Sequence, residues 1–122
     1  MKMLFVVGLG SFIGGVLRYS ISLMMQSRLQ HFPWNTFLVN IVGCFLIGLL
    51  FGYADKSGMS ANLKLFLGTG LLGGFTTFSA FSMESFRMLQ LNAYGNVAMY
   101  VLGSVVFGLG ATFLGVLLGK LI

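Results

Sequence analysis

The chain has 122 residues, 57% of them hydrophobic, and only seven Lys or Arg and two Asp or Glu. Soluble domains are about a quarter charged, so a chain at 7% lacks the polar surface that water demands. A spanning helix needs about 20 mostly apolar residues, so four spans fit and five would be cramped.

The formal net charge of +5 raises the question of nucleic acid, but Lys2, Arg18, Arg28, Lys56, Lys64, Arg87 and Lys120 are spread singly, with no run and no basic face. No nucleic-acid partner is expected. Cys44 is the single cysteine and His31 the single histidine, which excludes an intrachain disulfide and a clustered zinc site. Lys2 and the apolar run after it resemble a signal peptide, yet an A-x-A-like cleavage site is missing and the run continues too far. It reads as a retained first helix.

In chain order, the first apolar segment covers residues 3 to 25, carries Arg18, and is bounded by Gln26, Ser27 and Arg28. A short link containing His31 and Pro33 follows. The second segment runs from about Trp34 to Ala54 with Asn40 inside it, Trp34 and Tyr53 lying near its ends where aromatic belts occur. It stops at Asp55-Lys56-Ser57-Gly58. The third, from about Ala61 to Leu91, holds Gly68-Thr69-Gly70-Leu71-Leu72-Gly73-Gly74-Phe75-Thr76-Thr77-Phe78-Ser79, a composition unsuited to an uninterrupted helix. The fourth runs from about Tyr94 to Ile122. Residues 1–122 thus read as a single transmembrane domain.

An even number of spans puts both termini on one side, with Lys2, Lys56, Lys64 and Lys120 against Asp55; the other side has Arg28 and Arg87. Four against two is a weak positive-inside bias. It is compatible with insertion in either orientation, and so with antiparallel homodimers, as well as with one fixed orientation having the Lys side inside.

Gly68-Thr69-Gly70-Leu71-Leu72-Gly73 matches G-x-G-x-x-G in letters. A dinucleotide site also needs a preceding strand, a parallel sheet and an acid about 20 residues on, none of which this chain supplies. Glycines in membrane segments more often mark close helix approach. Small residues four apart recur at Gly10 and Gly14, Gly48 and Gly52, Gly70 and Gly74, and Ala111, Gly115 and Gly119, predicting tight helix packing and an oligomer.

Polar side chains inside spans carry more information, because each needs a partner or water. Arg18 shares a face with Gly10 and Gly14, and either snorkels to an interface or serves the interior. Asn40, with two donors and an acceptor, fits interhelical bonding and a ligand site equally. Tyr100, Ser104, Gly108 and Thr112 form one stripe, a candidate wet track, although Ser and Thr also bond their own helix carbonyls. A helix interrupted within Gly73-Gly74-Phe75-Thr76-Thr77-Phe78-Ser79-Ala80-Phe81-Ser82 frees backbone groups that demand protein, water or an ion. Phe78 and Phe81 share a face after the interruption, either as ordinary aromatic packing or as ring edges presented to an anion.

The run Gly73-Gly74-Phe75-Thr76-Thr77-Phe78-Ser79-Ala80-Phe81-Ser82, with Gly10-x-x-x-Gly14-Gly15-x-x-Arg18-Tyr19 and Asn35-Thr36-Phe37-Leu38-Val39-Asn40-x-x-Gly43, closely resembles the CrcB/Fluc fluoride channels of microbes over the whole chain. The resemblance implies an all-α membrane protein of four helices per subunit, the third helix broken, forming an antiparallel dual-topology homodimer with two pores in the cell membrane. It implies passive fluoride export and a structural sodium ion held by the backbone carbonyls of Gly73 and Thr76. By similarity Asn40, Phe78, Ser79, Phe81, Tyr100, Ser104 and Thr112 line the fluoride pore, Arg18 attracts anions at the vestibule, and Glu84 is structural. Gly108 departs from the pattern, standing where the better-known members carry a hydroxyl.

The alternative reading is a proton-coupled exporter of the small multidrug type, which depends on a carboxylate in its first helix; residues 3 to 25 contain none. A membrane scaffold explains the glycines but leaves the polar groups without a purpose. No nucleophile, base and orienting group assemble as in an enzyme.

Overall fold

A computed structural model describes residues 1–26 and 31–122; Arg28 lies outside the described residues. Four helices are long and apolar enough to cross a membrane, over Lys2–Met24, Trp34–Ser57, Ala61–Gln90 and Tyr94–Leu121, and no strand occurs among the described residues. This is a multi-pass membrane protein. Its large apolar side chains are exposed along every span, as a lipid solvent requires.

The first two spans are the helices α1 (Lys2–Met24) and α2 (Trp34–Ser57). Gly58 ends α2 at φ 66°, a left-handed conformation that glycine adopts without a Cβ clash. Within the third span, α3 (Ala61–Lys64) starts at Ser60, whose hydroxyl accepts from Leu63 N–H at 3.3 Å. It passes into a π-helical stretch over Leu65–Leu72 and a last turn, α4 (Gly73–Phe75). Thr76 and Thr77 have extended dihedrals, and α5 (Phe78–Gln90) follows. The last span is α6 (Tyr94–Leu121).

The letters of the G-x-G-x-x-G run therefore lie within helix: Gly68 and Gly70 are buried in the π-helical stretch, and the non-helical step is confined to Thr76 and Thr77. A π-helix is wider than an α-helix and uncommon at this length. Small residues suit it here because α1 comes in at backbone distance. A Cβ at Gly10 would stand 2.5 Å from Phe66 O and 2.8 Å from Leu71 N, and one at Gly14 would strike Leu71 O and Phe75 N.

The spaced glycines of α2 and α6 meet their partners inside the subunit as well. A Cβ at Gly48 or Gly52 would strike the backbone of α6 at Thr112 and Val116, and one at Gly115 or Gly119 the backbone of α2 at Phe45 and Leu49. Paired positions rise together along both chains, so α2 runs in the same direction as α6, and α1 in that of the third span. These ridges are used within the chain, where backbone approach replaces the missing hydrophobic drive.

Toward one end of the bundle an aromatic cluster packs around Tyr100. Tyr100 is fully buried, with Phe32 at 5.3 Å between ring centroids and Phe81 at 5.0 Å in a T-shaped pair. Phe32 also meets Trp34 and Phe37. At the other end Lys56 Nζ donates to Lys120 O at 2.9 Å, joining the C-terminal ends of α2 and α6.

Candidate functional site

The site is built on the two extended residues of the third span. In a continuous helix Thr77 N–H would bond Gly73 O, and Ala80 N–H would bond Thr76 O. Here Thr77 N–H donates to Asn40 Oδ1 at 2.8 Å, while Asn40 Nδ2 donates back to Thr77 O at 3.0 Å. One amide side chain of α2 thus takes both backbone groups of a residue that the helix releases. Ala80 N–H is taken by the Thr77 hydroxyl at 3.2 Å, an N-cap for α5. The carbonyls of Gly73 and Thr76 are left without their helical donors.

Arg18 continues the Gly10–Gly14 face of α1 and reaches the same place, its Nε donating to Gly74 O at 3.3 Å. Thr76 Oγ1 donates to Leu72 O at 3.1 Å. Two elements therefore hold the interruption from opposite sides: Asn40 from α2 and Arg18 from α1. Each satisfies backbone polar groups that at membrane depth have no water.

Beside the interruption lies a cavity of about 410 Å³, lined on α2 by Asn40 and Cys44, on the third span by Leu72, Gly73, Thr76, Thr77, Phe78 and Phe81, and on α6 by Ser104. Phe78 and Phe81 are a tilted ring pair with centroids 5.5 Å apart. Phe78 is 79% exposed, so its ring stands out of the subunit at the cavity edge. Ser79 is exposed and shares a 3.3 Å hydroxyl contact with Thr77.

The α6 stripe divides into three fates. Tyr100 OH donates to Glu84 Oε2 at 2.7 Å. Thr112 Oγ1 returns to its own helix at Gly108 O, 3.1 Å away, the harmless bond open to any helical threonine. Ser104 Oγ, in contrast, is a buried side-chain oxygen without a hydrogen-bond partner, in a residue that borders the cavity. A Cβ at Gly108 would find Cys44 Sγ at 3.5 Å and Ile41 Cδ1 at 3.9 Å, ordinary contacts that leave room for a larger residue.

Sequence reasoning missed a second polar stripe. Thr36, Asn40 and Cys44 are four residues apart on α2, the same spacing as Tyr100, Ser104 and Gly108 on α6. Thr36 is buried and its hydroxyl donates to Glu84 Oε1 at 2.7 Å. Glu84 of α5 thereby accepts one hydroxyl from α2 and one from α6, two short bonds that fix Tyr100. Because the Tyr100 ring is T-packed on Phe81, this carboxylate also sets the position of the phenylalanine pair.

Residues 5–116 match the model of a family described as CrcB-like protein, Camphor Resistance (CrcB). The chain belongs to this family. It is 48% identical over 122 residues to the fluoride-specific ion channel FluC of Flavobacterium psychrophilum, with 98% of each chain covered. With the protein of the same name from Thermus thermophilus it shares 42% identity over 120 residues, covering 98% of this chain and 96% of the relative. The FluC of Phocaeicola vulgatus is 45% identical over 121 residues, with 98% and 96% covered. In this CrcB chain the matched region takes in the Asn40–Thr77 junction, the phenylalanine pair, the Glu84 bridge and Ser104.

Proposed function

We propose that the protein is a fluoride-selective channel, not an enzyme, in which the third span acts as a broken helix and two antiparallel copies of this single domain enclose the conducting paths. The carrying observation is the interruption at Thr76 and Thr77, held by Asn40 beside a cavity that the exposed Phe78 ring and residue Ser104, whose buried hydroxyl has no partner, border. The names of the relatives supply the ion. Fluoride is small and tightly hydrated, so a narrow path admits it by exchanging water for fixed donors. Asn40 has one amide hydrogen beyond its bond to Thr77, Ser104 has a free hydroxyl, and Ser79 is exposed at the edge.

The phenylalanines contribute positively polarised ring edges. Chloride is larger and gains less from the same few donors, which favours its rejection. Tyr100 and Thr112, whose hydroxyl hydrogens are already donated to Glu84 Oε2 and Gly108 O, act in this reading by shaping the path. Arg18, bonded to Gly74 O, adds a fixed positive charge beside the interruption, where it favours anion entry.

A second copy follows from the exposed Phe78 and Ser79, which need an opposite wall to line a path, and from the near-even charge division that permits both orientations. The Gly73 and Thr76 carbonyls fit a sodium ion: they are oxygen donors released from the helix, and both residues border the cavity. Two carbonyls from each of two chains would hold a structural sodium at the centre, where its charge offsets the converging carbonyl dipoles. Export is passive in this account. Hydrogen fluoride enters from acidic surroundings and ionises in the cytoplasm, and the trapped anion leaves down its gradient.

Fluoride release from proteoliposomes loaded with potassium fluoride, with valinomycin carrying the counter-charge, tests the proposal. Fluoride is expected to leave on valinomycin addition without a proton gradient. No release from folded protein in sodium buffer refutes it, and release that requires a proton gradient points instead to the coupled exporter.

A further inference from the structure

Away from the interruption, a second and more apolar groove of about 530 Å³ lies between α2 and the third span. It is lined by Leu46, Leu49 and Tyr53 of α2, by Leu67 and Leu71 of the π-helical stretch, and by Ile122. Leu46 and Tyr53 are exposed in the subunit. The groove follows the two helices toward the end of the bundle where α2 stops, and that end carries lysines. Lys56 is seven residues, two helical turns, beyond Leu49 on the same face, and it is exposed.

Lys64 lies three residues before Leu67 at that same end, and Lys120 two residues before Ile122. Lys56 Nζ uses one donor on Lys120 O and, as an ammonium, has two more. An apolar trough whose end carries Lys56, Lys64 and Lys120 in the neighbouring chain positions is complementary to an amphiphile whose tail is hydrocarbon and whose head is an anion. We infer that this groove is a binding site for an anionic phospholipid, one acyl chain lying against Leu46, Leu49, Leu67 and Leu71 and the phosphate taken by Lys56 and Lys64.

A zwitterionic lipid fills the trough equally well but brings its own positive charge to the lysines. Juxtamembrane lysines near an anionic headgroup contribute roughly fivefold each in affinity, so two of them give a preference on the order of twenty-fold for the anionic lipid. The tail site and the head site are separable, which makes the inference testable without the transport assay.

The full chain, purified in detergent, is mixed with dioleoyl phosphatidylglycerol or dioleoyl phosphatidylcholine, and retained lipid is counted by native mass spectrometry alongside the thermal unfolding midpoint. Phosphatidylglycerol is expected to be retained preferentially and to raise the midpoint more than phosphatidylcholine. Lys56→Gln with Lys64→Gln abolishes the preference and leaves phosphatidylcholine retention unchanged, whereas Arg87→Gln at the opposite surface leaves the preference intact. Leu46→Trp, which fills the trough from its exposed rim, lowers retention of both lipids. Equal retention of the two lipids, a preference that survives the double lysine change, or full displacement by free glycerol phosphate overturns the inference.

Discussion

Asn40, which borders the cavity, closes the backbone of Thr77 with one amide and keeps a second amide hydrogen beyond that bond. Asn40→Ala removes both bonds and strands the Thr77 N–H and C=O. At about 1 kcal/mol per bond plus the desolvation of the stranded groups, a destabilisation of about 2–4 kcal/mol is expected in a denaturation series, together with loss of fluoride efflux. Ser104 is the complementary case, for its hydroxyl makes no bond to lose. Ser104→Ala should leave stability within about 0.5 kcal/mol and reduce efflux at least tenfold; unchanged efflux would remove Ser104 from the conducting path. The sequence made both residues visible, since a polar group inside an apolar span demands a partner. It did not show that Tyr100 and Thr112 have acceptors and Ser104 has none, because neighbours brought together by tertiary contact decide that.

At the scale of elements, glycine spacing was legible as close packing but silent on which helices meet. The structure pairs α1 with the third span and α2 with α6, and the difference between packed and idle glycines gives a sharp contrast. Gly14 has the Leu71 and Phe75 backbone where a Cβ would stand, whereas Gly110 has nothing within 4 Å. Gly14→Ala should force α1 away from the π-helical stretch, with a loss of about 1–3 kcal/mol. Gly110→Ala should instead stabilise α6 by about 0.5–1 kcal/mol through helix propensity. Thermal unfolding of the two variants beside the parent checks both signs. The π-helical stretch itself was not readable in the sequence: Gly68 and Gly70 there suggest interruption, and only the close approach of α1 explains a wide helix in place of a break.

For the whole molecule, composition alone established a membrane protein of four spans, while the second polar stripe of Thr36, Asn40 and Cys44 escaped notice because Cys44 and Thr36 pass as apolar or neutral. In the proposed antiparallel assembly the charge balance across the membrane is functional. Four lysines on one side stand against Arg28 and Arg87 on the other, so replacing both arginines with Gln should drive insertion toward one orientation. Accessibility labelling of a C-terminal cysteine, in a Cys44→Ala background, should then change from two-sided to one-sided, and efflux should fall with the supply of opposite partners. One-sided labelling in the parent chain would contradict dual insertion.

The central claim is that pairs of chains form a path that fluoride crosses and chloride does not. Vesicles loaded with equal potassium fluoride and potassium chloride, reconstituted at decreasing protein density and opened with valinomycin, report both properties at once. Fluoride is expected to be released while chloride is retained, and the fraction of active vesicles to fall with dilution as for units of two chains. Release of chloride alongside fluoride, or a dilution curve that counts single chains, would contradict it.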